Sequence, residues 1–179
     1  MKNVVVFIWL FIVYIYAPIH GQYTARIEKQ DNVHNKLVVD VVTKGETVTL
    51  SKPMNYSIFK LKQADIDSCG QTEIILGVIK RTKFDTTRCK RINIWRIENN
   101  AIVPMWLGSK MSHPLYDFEL KKVGPITIIC TIEEEKDSLY LVAAYKWHSF
   151  GLKFLQYIKR EVTLDNAYNL LTNDYEKAH

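Results

Sequence analysis

The run Leu139-Tyr140-Leu141-Val142-Ala143-Ala144-Tyr145-Lys146-Trp147 decides the fold class of this chain. It has no Gly or Pro and no helical spacing of its apolar residues, so it is read as a strand. Alternation puts Leu139, Leu141, Ala143, Tyr145 and Trp147 on one face and Tyr140, Val142, Ala144 and Lys146 on the other. Neither face is strongly polar, and a sheet that is apolar on both faces must be covered on both. On the amino-terminal side, Glu133 to Asp137 reads as a solvated turn. On the carboxy-terminal side, Leu152 to Arg160 reads as the last strand, with Leu152, Phe154, Gln156, Ile158 and Arg160 on one side and Lys153, Leu155, Tyr157 and Lys159 on the other.

The same pattern of short apolar runs and turn residues extends upstream to about residue 34. Expected strands are His34 to Thr43, Thr47 to Leu50, Tyr56 to Lys62, Glu73 to Lys80, Arg91 to Ile97, Ala101 to Leu107, Leu115 to Leu120 and Ile126 to Ile132. Lys44-Gly45-Glu46 joins the first two as a tight hairpin. After Thr163 the period changes: Leu164, Tyr168, Leu171 and Tyr175 recur at intervals of three and four, which predicts a helix over about 164–177 with Thr163 or Asp165 as its cap. No linker or internal repeat divides residues 22–179, so a single β-rich domain is expected. Such a domain can close as an antiparallel barrel or stack as a β-sandwich, with the helix over an outer face.

Composition narrows the function classes. The 179 residues are 47% hydrophobic and 24% charged, which is globular, and a formal charge of +5 without a cationic block gives no reason to expect a nucleic-acid partner. Met1-Lys2-Asn3 followed by the apolar run Val4 to Ile19 reads as a signal peptide over residues 1–21, giving a secreted, extracellular protein that begins at Gln22. No second run is long enough to span a membrane after signal cleavage. Secretion would expose Cys69, Cys89 and Cys130 to oxidising conditions. One disulfide is expected; of the three pairings, Cys69 with Cys89 closes the shortest loop and would stabilise by roughly 3 kcal/mol. Cys130, inside an apolar run, is expected to be buried. Asn55-Tyr56-Ser57 is a candidate glycosylation sequon at Asn55.

Catalytic and metal motifs are absent. His34, His113, His148 and His179 show no ligand spacing, and there is no nucleophile elbow, phosphate loop or dinucleotide fingerprint. Ser57-Ile58-Phe59-Lys60 matches S-x-x-K, but it lies in a strand-like run where Ser57 and Lys60 would face opposite ways. No enzyme activity, cofactor or metal is therefore expected. The aromatic side chains are more informative, because a small barrel either fills its interior or leaves a cavity for a ligand. Leu141, Tyr145, Trp147, Phe154 and Ile158 are the candidate apolar wall. Lys146, His148, Lys153, Lys159 and Arg160 form a basic cluster read as a solvated face.

The carboxy-terminal quarter resembles the end of the lipocalins, secreted barrels that carry small apolar molecules. Ser138 to Tyr145 is similar to the strand after that family's acidic turn, and Leu155-Gln156-Tyr157-Ile158-Lys159-Arg160 to its closing strand. Thr163 to Leu171 is similar to its helix entry. The G-x-W motif of that family's first strand is missing. The resemblance implies a lipocalin-like (calycin-like) antiparallel barrel in which Arg160 is a structural closing residue. The expected function is non-enzymatic carriage of a small hydrophobic or amphipathic molecule of the lipid, sterol, retinoid or amine class. The alternative is a β-sandwich that binds another protein, such as a host receptor or signalling factor, through an exposed face.

Overall fold

A computed structural model of the chain describes residues 22–43, 45–83, 85–108 and 111–172. The expected signal segment, Lys44 of the first hairpin and the helix beyond Thr172 lie outside the described residues. Eleven strands are present in chain order: β1 (Gln22–Lys29), β2 (Asn35–Thr43), β3 (Glu46–Met54), β4 (Ser57–Ala64), β5 (Glu73–Lys80), β6 (Cys89–Glu98), β7 (Ala101–Trp106), β8 (Leu115–Val123), β9 (Ile126–Glu134), β10 (Tyr140–His148) and β11 (Gly151–Val162). One helix, α1 (Leu164–Thr172), follows. The strands form three antiparallel sheets ordered β1-β2-β3, β4-β5-β6-β7 and β11-β10-β9-β8, and no sheet closes into a barrel.

Strand periodicity explains how the sheets stack. In β5, Ile74, Leu76 and Val78 point to one side and pack with Leu37, Val39, Val41 and Met54 of the first sheet. Ile75 points the other way and joins Ile92 and Ile94 against Leu115, Phe118 and Ile129 of the third sheet. The second sheet is thus a middle layer, apolar on both faces. The outer face of the third sheet carries Ile128, Cys130, Ile132, Val142 and Ala144, which are covered by Ala167 and Leu171 of α1. Each large aliphatic side chain buried here contributes about 1.5–3 kcal/mol against the entropy of ordering the chain. Gly77 gives the Phe59 ring its place in this stacking, because a Cβ there would sit 2.6 Å from that ring and displace it; the ring itself meets Phe118 edge-on at 6.4 Å.

Local chemistry sets the ends of the elements. Asn99 and Asn100 both take positive φ and form the two-residue turn between β6 and β7, as the twist of a tight hairpin requires. Thr163 caps α1, its hydroxyl accepting from the Asn166 N–H at 3.4 Å. Sequence reading misses β1, whose inward Tyr23, Ala25 and Ile27 alternate with Thr24, Arg26 and Glu28, because it abuts the expected cleavage point.

The expected Cys69–Cys89 bridge is not formed; all three cysteines are free. Cys89 pairs with Lys80 at one end of β5, whereas Cys69 lies in the loop before Glu73 at the other end. A strand of that length holds the two about 20 Å or more apart, far beyond disulfide reach. Cys130 is fully buried, and burial pushes its thiol up to about 11.

Candidate functional site

The β10–β11 hairpin meets the end of β7, with Gly151 against the Trp106 ring. There, Trp106 at the end of β7, Met111 and Ser112 in the β7–β8 connection, Tyr145 of β10, and Phe150, Gly151, Leu152 and Phe154 of the β10–β11 hairpin line a cleft of about 450 Å³. That volume lies in the range of small-molecule sites. A second depression, lined by Ala64, Asp65, Leu120, Lys121, Lys122, Pro125 and Thr127, is smaller, at about 350 Å³, and carries no aromatic side chain.

Beneath the cleft lies a buried carboxylate. Alternation along β9 places Ile129, Thr131 and Glu133 on one face, and Glu133 is fully buried opposite Leu141. Its Oε2 accepts from the Ser112 hydroxyl at 2.6 Å and the His113 N–H at 2.7 Å. Its Oε1 accepts from the Thr131 hydroxyl at 2.7 Å and the Tyr145 hydroxyl at 2.8 Å. Four donors therefore satisfy one buried anion, the condition under which such a group is tolerated. The Glu134 N–H donates to the Pro114 carbonyl at 2.8 Å and ties the β7–β8 connection to the same strand. Burial, reinforced by the Glu133 charge, pushes the Tyr145 phenol up to about 12.

A serine beside a histidine and a carboxylate resembles hydrolytic machinery, but the geometry differs. A relay needs the imidazole between nucleophile and carboxylate, using both ring nitrogens. Here the carboxylate takes the serine proton directly, and the same His113 Nδ1 faces Ser112 Oγ at 3.2 Å and Glu133 Oε2 at 3.9 Å.

The sequence candidates are distributed as follows. Tyr145 and Phe154 line the cleft and meet edge-on at 5.6 Å. Leu141 is fully buried and packs with Ala143 and Tyr145 against Met111 and Leu152. Trp147 belongs to the core between the second and third sheets. Ile158 lies on the opposite face, among the residues around α1. The strict alternation expected along the last strand fails because β11 carries extra residues: Tyr145 pairs with Phe154, Ala143 with Tyr157 and Val142 with Lys159. Each bulge re-aims the side chains beyond it. Phe154 and Tyr157 consequently meet at 4.8 Å with their rings tilted by 59°, and the Arg160 guanidinium lies 4.9 Å from the Tyr157 ring. Arg160 closes no barrel; it is half-exposed and donates through Nε to Glu135 Oε1 at 2.8 Å.

Glu133 also corrects the reading of Glu133 to Asp137 as a solvated turn, since Glu133 is buried within β9 and the Glu135 side chain is 8% exposed. Period-two alternation from Ile129 pointed inward to Thr131 and Glu133, but the run of three carboxylates masked it. Ser112 carried no comparable signal, whereas Trp106 was legible as an aromatic of the expected strand Ala101 to Leu107. Asn55 is exposed between β3 and β4.

For a metal, Asp65, Asp67 and Cys69 each bring one ligand atom within 4.8 Å of the others. Asp67 is already paired with Arg96 at 2.6 Å. No helix among the described residues is long and apolar enough to cross a membrane. No protein-family model matches the chain, and neither a curated protein nor a solved structure is significantly similar to it.

Proposed function

We propose that this is a secreted, non-enzymatic binding protein that takes a small hydrophobic or amphipathic molecule in the cleft between Trp106 and Phe154. The observation that carries this reading is an aromatic and aliphatic wall converging on polar groups fixed by Glu133. Apolar lining supplies affinity by desolvation, and a few oriented polar atoms supply selectivity. On this reading the ligand lies beside the stacked sheets, since Leu37, Val39, Leu76 and Trp95 fill the space between the first two sheets. The arrangement is read as a layered β-sandwich, and the lipocalin resemblance as one of strand order at the carboxy-terminal end. The direct Ser112–Glu133 bond supports binding over hydrolysis.

Saturable one-to-one enhancement of N-phenyl-1-naphthylamine fluorescence by the folded protein tests this function. Phe154→Asp, at a position 39% exposed, should weaken it at least tenfold without unfolding the chain. Binding that is unaffected by Phe154→Asp, or no saturable binding at all, would refute the site. A second reading, recognition of another protein, is favoured by the exposure of Phe150 (86%), Leu155 (39%) and Tyr157 (38%) on the same hairpin. Loss of a partner protein on Phe150→Ser with probe binding intact would favour it.

A further inference from the structure

We infer that the cleft selects an organic cation, an amine or ammonium on a compact apolar body; the inference rests on the cleft being the ligand site. Glu133 draws the Ser112 Oγ–H to Oε2 at 2.6 Å, and the Tyr145 O–H points to Oε1 at 2.8 Å with Ser112 Oγ at 3.1 Å beside it. A hydroxyl whose only proton is committed presents two lone pairs to its other neighbours; one on Tyr145 accepts the Ser112 N–H at 3.2 Å and one on Ser112 faces His113 Nδ1 at 3.2 Å, which leaves one on each oxygen. The polar end of the cleft therefore offers acceptors, with a buried negative charge behind them. A ligand N–H finds partners there. A ligand carboxylate or phosphate would set lone pairs against lone pairs beside a carboxylate.

The walls and surrounding charges agree with this assignment. Trp106, Tyr145, Phe150 and Phe154 supply aromatic rings, whose faces attract cations most strongly where water is displaced. No cationic side chain lines the cleft among the described residues. Lys146 and Lys153 of the flanking strands lie directly opposite one another, and alternation sends them to the side of the sheet away from Tyr145. Arg160 is held by Glu135. His113 Nδ1 stands 3.9 Å from Glu133 Oε2.

Calorimetric titration at neutral pH with three probes of similar shape tests the inference: 2-phenylethylamine, butylbenzene and 3-phenylpropanoate. The amine should bind at least tenfold more tightly than either of the others. Phe154→Glu and Phe154→Lys remove the same ring and add opposite charges, and the amine should prefer the Glu variant by at least tenfold. Ser112→Ala, at an exposed position, should weaken the amine about tenfold and leave butylbenzene unchanged. Equal or tighter binding of butylbenzene or the propanoate overturns the cation assignment and leaves the cleft reading intact. So does failure of all three to displace N-phenyl-1-naphthylamine from a Phe154-sensitive site. If the naphthylamine probe itself shows no such site, the cleft reading falls and this inference with it.

Discussion

Glu73 and Glu133 are both fully buried, and both lie at an end of a central strand, yet their surroundings differ sharply. Glu133 accepts four hydrogen bonds across its two oxygens. Glu73 accepts the Ile66 N–H at 3.0 Å on Oε2, while Oε1 has no hydrogen-bond partner and stands 3.7 Å from Arg96. Burial pushes the Glu73 carboxyl up to about 7, with Asp67 and Asp65 adding to the rise and Arg96 opposing it. Converging donors thus hold Glu133 in place, whereas Glu73, with fewer of them, is pushed up by its burial. Only the first lies under an aromatic cleft, which is why the ligand site is assigned there.

The comparison breaks most visibly if Glu133 is removed. Glu133→Ala removes the nearest acceptor of the Ser112, Thr131 and Tyr145 hydroxyls and of the His113 N–H, leaving Thr131 and Tyr145 only the longer bonds to the Ala143 carbonyl and Ser112 Oγ, so a loss of roughly 3 kcal/mol is expected in urea unfolding. A change below about 0.5 kcal/mol, the ordinary range for surface substitutions, would mean that the network contributes nothing to stability.

Glu73→Gln has the opposite sign. The unfolded carboxyl titrates near 4.5 and the folded one near 7, so between those values the native state binds more protons and stability falls as pH rises. The Gln variant lacks that slope. It should match the parent below pH 4.5 and exceed it by up to about 3 kcal/mol above pH 7, measured as paired unfolding curves across pH. A Gln variant that parallels the parent at every pH would remove the distinction between the two glutamates.

A smaller effect sharpens the Glu133 side. Tyr145→Phe removes one donor of four and keeps the ring against Phe154, so it should cost about 1 kcal/mol. It should also weaken 2-phenylethylamine more than butylbenzene. Equal weakening of both would show that Tyr145 acts through packing alone.

How far the residues announced this arrangement varies from element to element. The limits of β5, Glu73 to Lys80, follow from a short apolar run between turn residues, and the start of α1 at Leu164 follows from the change of period after Thr163. The double covering of β10 was legible from its two apolar faces. Bulges were not: the extra residues in β11 leave no mark in composition, so Phe154 and Tyr157 were assigned to opposite sides although their rings touch. The Cys69–Cys89 expectation failed because sequence separation does not report that a whole strand lies between the two thiols. Of the cleft, Tyr145 and Phe154 were legible as strand aromatics. Ser112 and Glu133 become functional candidates only once the β7–β8 connection folds over β9.

Backbone amide mapping of the folded, isotope-labelled protein during titration with N-phenyl-1-naphthylamine tests the central assignment most directly. Saturable shifts should concentrate at Trp106, Met111 to His113, Tyr145 and Phe150 to Phe154, with Leu37, Val39 and Leu76 unmoved. Shifts centred on those three interior residues would put the ligand between the first two sheets and contradict the account.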